Sequence, residues 1–175
     1  MQTITNDTTE LLRDFTAAAD HFTNLLESFS PEVFNQAPFE GSWSPAQVGD
    51  HVLKFLNGTK SALSVPKATS ERAPDAHEPL LREIFLNFER KAKAPAVVVP
   101  SDEPIDRTQL LKALKEIREL LGARIREEDL LMLCAGVPFP TIGDLTGLEW
   151  VLFADYHLRR HARQLQQMQP YFNQQ

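Results

Sequence analysis

Two histidines stand four residues apart in the segment Trp150-Val151-Leu152-Phe153-Ala154-Asp155-Tyr156-His157-Leu158-Arg159-Arg160-His161. On an α-helix, residues i and i+4 lie one above the other on the same side. Two imidazoles placed that way can hold one metal ion from one direction, and a third from a facing helix, His51, completes a set. Three nitrogen ligands leave coordination positions free for water or substrate, which distinguishes catalytic metal sites from closed structural ones. A divalent ion held by neutral imidazoles keeps its full charge. It can activate water for hydrolysis, or hold a thiol ready for transfer to an electrophile. Zinc, nickel, iron and manganese all tolerate such a donor set.

Helix geometry says where the pair points. At about 100° per residue, with His157 at zero, Trp150 and Met168 fall near 20°, His161 near 40°, Ala154 near 60° and Phe153 near −40°. The opposite side collects Asp155, Arg159, Arg163 and Gln166. Both histidines therefore lie in the apolar stripe that should face the core. A polar group buried without a partner costs on the order of 1–3 kcal/mol. A metal relieves both rings at once; a carbonyl or carboxylate for each would also do so, and the pair alone leaves the two readings open.

His51 favours the metal. Trp43-Ser44-Pro45-Ala46-Gln47-Val48 reads as a helix start, with Ser44 as N-cap, Pro45 at the first helical position and Gln47 closing a capping box. Trp43 and Val48 stand where a hydrophobic staple belongs. Val48, His51, Val52, Phe55, Thr59 and Ala62 then share one broad face, so His51 borders the core side. Thr146-Gly147-Leu148-Glu149 makes a second capping box at the head of the last helix, with Leu145 and Trp150 as its staple. A site built on two such well-specified helices would be rigid.

These residues resemble the DinB-like (YfiT-like) superfamily of bacterial proteins. The resemblance rests on Trp43-Ser44-Pro45 followed by His51, and on Glu149-Trp150, Tyr156-His157, His161 and Gln164-Leu165 in the same order. The stretch from Lys93-Ala94-Pro95 to Pro100-Ser101-Asp102 is similar to one branch of it. The resemblance spans nearly the whole chain and implies a four-helix bundle, often a homodimer, with a divalent metal on His51, His157 and His161. It implies no single activity: some relatives transfer low-molecular-weight thiols, others isomerise or hydrolyse.

The remaining sequence is consistent with that expectation. A chain of 175 residues fits one domain, residues 1–175. The net charge of −6 argues against a nucleic-acid partner, which demands a basic face. The lone Cys134 cannot form an intrachain disulfide and suits a reducing cytoplasm. No apolar run approaches the ~20 residues of a membrane span, and the polar Met1–Glu10 start is unlike a signal peptide.

The expected architecture is all-α, a four-helix bundle with long connections and one or two short extra helices. Main helices are expected over Thr8–Phe29, Pro45–Leu63, Asp106–Glu128 and from Gly147 onward. The first carries Leu11, Phe15, Ala18, Phe22, Leu25 and Phe29 at helical spacing, the third Leu110, Leu114, Ile117, Leu121 and Ile125. A polar connection, Ser64–Pro79, precedes a short helix over Leu80–Lys91. The three prolines of Ala94–Pro104 forbid a continuous helix, so that stretch should run extended across one end of the bundle. The apolar elbow Leu130–Leu133 should pack under the bundle or into a dimer interface.

Other chemistry finds no support. No G-x-x-x-x-G-K, G-x-G-x-x-G or Gly-x-Ser-x-Gly pattern occurs, and no His-Glu-x-x-His. Arg159, Arg160 and Arg163 are read as cations suiting the dipole at a helix end. His21 is expected at the surface, His77 in a loop, and Cys134 has no spacing argument as a nucleophile. No general base is identified, because Asp50 and Glu149 point away from the histidines, and the catalytic residues are unknown. The reading is a metal-dependent enzyme of the thiol S-transferase or hydrolase type acting on a small-molecule substrate. The alternative is a non-catalytic dimeric bundle serving as a stress or interaction protein.

Overall fold

The computed structural model describes residues 8–90 and 93–173. The polar start up to residue 7 and the expected end of the short helix at Lys91 lie outside them. Among the described residues there are five α-helices: α1 (Thr8–Glu27), α2 (Pro45–Leu63), α3 (Glu78–Leu86), α4 (Arg107–Glu127) and α5 (Gly147–Phe172). α1, α2, α4 and α5 form a four-helix bundle in which α1 and α2 each lie between α4 and α5. α3 packs on the outer side of α5. Among the described residues, no helix is long and apolar enough to cross a membrane.

Capping fixes the helix ends. Ser44 and Thr146 each close a capping box, with Gln47 and Glu149 respectively. Asp106 caps α4 by accepting from the Gln109 amide at 2.8 Å. The head of α5 has two further orphan donors, and the elbow satisfies them: Gly147 N–H donates to the Met132 carbonyl at 3.0 Å and Leu148 N–H to that of Leu130 at 2.7 Å. The elbow thus lies under α5. It also forms a two-residue antiparallel ladder, β2 (Leu133–Cys134) on β1 (Lys67–Ala68), which the helical reading did not foresee.

The core runs through all four main helices, with Phe15, Phe22, Leu26, Leu56, Leu114, Leu121, Ile125 and Leu158 fully buried. On α1 the buried side is wider than the expected stripe. Ala19, Thr23 and Leu26 join it while Leu11 and Leu25 are only half-buried, because α1 meets two neighbours rather than one. Gly49 lets α2 approach closely, since a Cβ there would sit 2.7 Å from Leu26 Cδ2 and 2.8 Å from Leu110 Cδ2. The short helix starts two residues earlier than expected and ends at Leu86. The proline-rich stretch contains one 3₁₀ turn, Ala96–Val98. It does not cross an end of the bundle but lies against the flank of α2.

Candidate metal centre

α2 and α5 are neighbours in the bundle, and each presents its histidines toward the other. His51, His157 and His161 converge so that one ring nitrogen from each lies within 4.8 Å of the others. Ring centroids are 4.6 Å apart for His51–His161 and His157–His161, and 5.3 Å for His51–His157. An ion about 2.0–2.1 Å from each nitrogen in tetrahedral geometry would set the nitrogens about 3.4 Å apart. A small inward movement of side chains meets that requirement.

Hydrogen bonds orient two of the rings. His51 Nδ1 donates to the Val98 carbonyl at 2.7 Å, and His161 Nδ1 donates to Gln164 Oε1 at 2.8 Å. Because the carbonyl and amide oxygens only accept, these contacts assign the proton of each neutral ring to Nδ1 and leave Nε2 with its lone pair. His161 Nε2 and His157 Nδ1 are buried and have no hydrogen-bond partner among the described residues. Orphaned imidazole nitrogens are costly in a core, and a metal ion is the partner that such a donor set fits. Anchoring of the second ring nitrogen is the usual support for a histidine ligand.

Aromatic rings enclose the cluster. Phe55 stacks on His157 with centroids 4.2 Å apart, Phe85 and Phe153 lie 4.8 and 5.2 Å from it, and Trp43 lies 5.1 Å from His51. His51 and His161 are buried, whereas His157 is half-buried. Burial is the largest cause holding all three imidazoles below their usual basicity, and their mutual repulsion adds to it for His157 and His161. His161 is lowered to about 3 and His157 well below its ordinary value. The rings are therefore neutral at pH 7, the state a metal requires.

That depression predicts an acid-sensitive apo protein. Above pH 6.5 both folded and unfolded chains carry neutral imidazoles, so the groups make no difference to stability. Below pH 6.5 the unfolded chain takes up protons that the folded chain refuses, so stability falls as the pH falls toward the folded values. Each refusing imidazole steepens the loss by up to about 1.4 kcal/mol per pH unit. In urea titrations of chelator-treated protein from pH 7 to pH 5, the wild type should lose stability faster than a His157→Leu/His161→Leu variant. Parallel pH curves would contradict this.

The other ionisable residues fall away from the cluster. Asp50 accepts from the Ser101 amide and pairs with Lys54, each at 2.9 Å. Glu149 is wholly buried and paired with Arg72 at 2.7 Å. Neither lies in the histidine group, and no general base appears among the described residues. His21 is exposed, and His77 sits at the head of α3, giving its backbone N–H to Glu149. Cys134 is buried beside Lys67 Nζ at 3.4 Å, and burial pushes its thiol up.

Two expectations about α5 need correction. Helical angle puts Asp155 on the outward side, yet it is buried and bonded to Arg159 at 3.0 Å, because α5 is flanked by α1, α2 and α3 together. The three arginines do not end the helix, which continues to Phe172. Arg159 serves Asp155, Arg160 donates to the Asn87 and Arg90 carbonyls, and Arg163 lies over the Phe88 ring at 4.7 Å. Sequence reasoning gave no role to Gln164 or Val98. The i, i+3 spacing of His161 and Gln164 was a usable signal; a backbone carbonyl gives none.

Comparison with known proteins agrees with this architecture. The sequence profile of the DinB superfamily matches residues 14–165. The uncharacterised protein YuaE of Bacillus subtilis (strain 168) is 30% identical over 154 residues, covering 83% of this chain and 88% of YuaE. Among solved structures, TT2238, described as a four-helix bundle protein, superposes with a TM-score of 0.56 at 22% identity, over 91% of this chain and 98% of TT2238.

Proposed function

The chain belongs to the DinB superfamily, and on that footing we propose that it binds a divalent metal through His51, His157 and His161 and uses it as an enzyme of the thiol S-transferase or hydrolase type. The observation that carries this reading is the pair of buried, partnerless nitrogens, His157 Nδ1 and His161 Nε2, within a converging group of three histidines. A bundle with no use for metal would gain stability by replacing them with apolar side chains.

The protein's own residues have separable tasks. Val98 and Gln164 hold the Nδ1 protons of His51 and His161 and so direct both Nε2 atoms toward the shared position. Phe55, Phe85 and Phe153 limit water around His157 and offer an apolar wall to the body of a small substrate. The ion, when bound, supplies Lewis acidity that makes a thiol or a water nucleophilic near neutral pH. No side chain in the cluster is placed to take the released proton, so the substrate or solvent must accept it.

The test is metal content. Untagged protein purified without nickel resin should carry near-stoichiometric divalent metal, and a His157→Ala/His161→Ala variant should carry none. A folded wild type that is empty and also fails to take up added zinc or nickel would remove the metal reading and leave a non-catalytic bundle. Metal in the wild type licenses a screen of low-molecular-weight thiols against electrophiles.

A further inference from the structure

The strap from Pro95 to Ser101 is held against α2 by a row of polar contacts beside two apolar anchors, Val98 and Pro100. Val97 is 83% exposed and Val99 45%, whereas Val98 is half-buried against the core and Pro100 is buried, so side-chain burial fixes only part of the strap. Four residues of α2 bind its backbone as well. Gln47 Nε2 donates to the Ser101 carbonyl at 3.1 Å, and Asp50 Oδ2 accepts from the Ser101 amide at 2.9 Å. His51 Nδ1 donates to the Val98 carbonyl at 2.7 Å, and Lys54 Nζ donates to the Val99 carbonyl at 2.8 Å. Positions 47, 50, 51 and 54 share one face of a helix. A candidate ligand therefore sits in the middle of the row of clips that fastens the strap.

We propose that Asp50 and Lys54 are positioning residues for the metal, acting through the strap: they fasten Val98, whose carbonyl fixes the tautomer and ring orientation of His51. This rests on the metal reading above. The Val98 carbonyl is useful to His51 only while the strap is docked, and docking depends on the clips at either side. By linkage, an ion that requires His51 in its docked orientation must stabilise the docked strap to the same extent that the strap strengthens the ion's binding. Segments fixed largely by hydrogen bonds near the surface open more easily than the core, so this coupling has room to act.

Charge makes the proposal separable from simple electrostatics. Lys54 is a cation near the cluster, so removing its charge would by Coulomb attraction alone favour a divalent ion. Removing its clip to Val99 weakens the orientation of His51. The two effects oppose each other in sign. In Lys54→Met zinc affinity, measured by competition with a chromophoric chelator, should fall about tenfold, the lower end of what loss of a ligand's hydrogen-bonded support costs. The charge-neutral pair Asp50→Ala/Lys54→Met, which removes two clips and leaves net charge unchanged, should fall further. In the wild type, zinc should slow hydrogen exchange at the Val99 and Ser101 amides.

Lys54 is a third exposed on its side chain, and the melting temperature of the metal-free variant checks that the fold survives. Zinc binding by Lys54→Met as tight as wild type, or tighter, overturns the proposal, as does strap exchange indifferent to zinc. Failure of the strap alone leaves both proteins binding zinc well. Failure of the metal reading shows as no binding even in the wild type, and the proposal falls with it.

Discussion

Glu149→Ala is expected to lower the unfolding free energy by about 3–5 kcal/mol, the range seen when one partner of a buried ion pair is removed. The Glu149 carboxylate is wholly buried and accepts four hydrogen bonds from three residues. Arg72 forks onto both oxygens at 2.8 and 2.7 Å, the Thr146 amide donates at 2.9 Å and the His77 amide at 2.8 Å. Arg72 reaches on to the Ala73 and Asp144 carbonyls, and Thr146 Oγ1 donates to the Pro74 carbonyl. One side chain thereby joins the head of α5 to the connection before α3. Alanine would strand Arg72 and two amides at once. Glu149→Gln keeps an acceptor for the Thr146 amide but loses the ionic fork, so it should fall between alanine and wild type. Urea unfolding with an unchanged m-value reads the loss directly. An alanine variant within 1 kcal/mol of wild type would mean that water replaces the carboxylate.

Glu149 also marks the boundary of what could be read from the sequence. Its capping role was legible because Thr146 lies three residues away, and Ser44 with Gln47 was legible for the same reason. The convergence of histidines was legible because each helix carries its apolar face in its own periodicity, and two such faces must meet across a bundle. The Arg72 pairing was not legible, since 77 residues separate the partners and nothing local requires either to seek the other. The burial of Asp155 was missed because a single helix wheel assumes one buried side, whereas α5 has neighbours on three. The same limit hid the buried contact of Tyr156, whose hydroxyl donates to Glu78 Oε1 at 2.5 Å across the α3–α5 contact. The strap's role was invisible for a different reason: it acts through backbone carbonyls, which every residue carries.

The second large effect is a crossing of stabilities in His161→Leu. Without metal, wild-type His161 buries an Nε2 that has no partner among the described residues, a burden of about 1–3 kcal/mol. Leucine removes that burden at similar size, and the half-buried Gln164 released from His161 can turn to water. The metal-free variant should therefore be as stable as metal-free wild type, or more so by about 1–2 kcal/mol. Zinc reverses the order. At a free concentration 100 times the dissociation constant it adds about 2.7 kcal/mol to a protein that binds it only when folded, which for a chain of this size raises Tm by about 5–10 °C. The variant, with only His51 and His157 left, should gain little. Thermal melts of both proteins, with chelator and with zinc, decide the matter: wild type below or equal to the variant in chelator, and above it in zinc. A variant destabilised in both conditions would mean that His161 is an ordinary packing residue whose second nitrogen finds water. That crossing, a weaker empty bundle and a stronger loaded one, is the outcome that selection for metal binding rather than for stability would leave in a core.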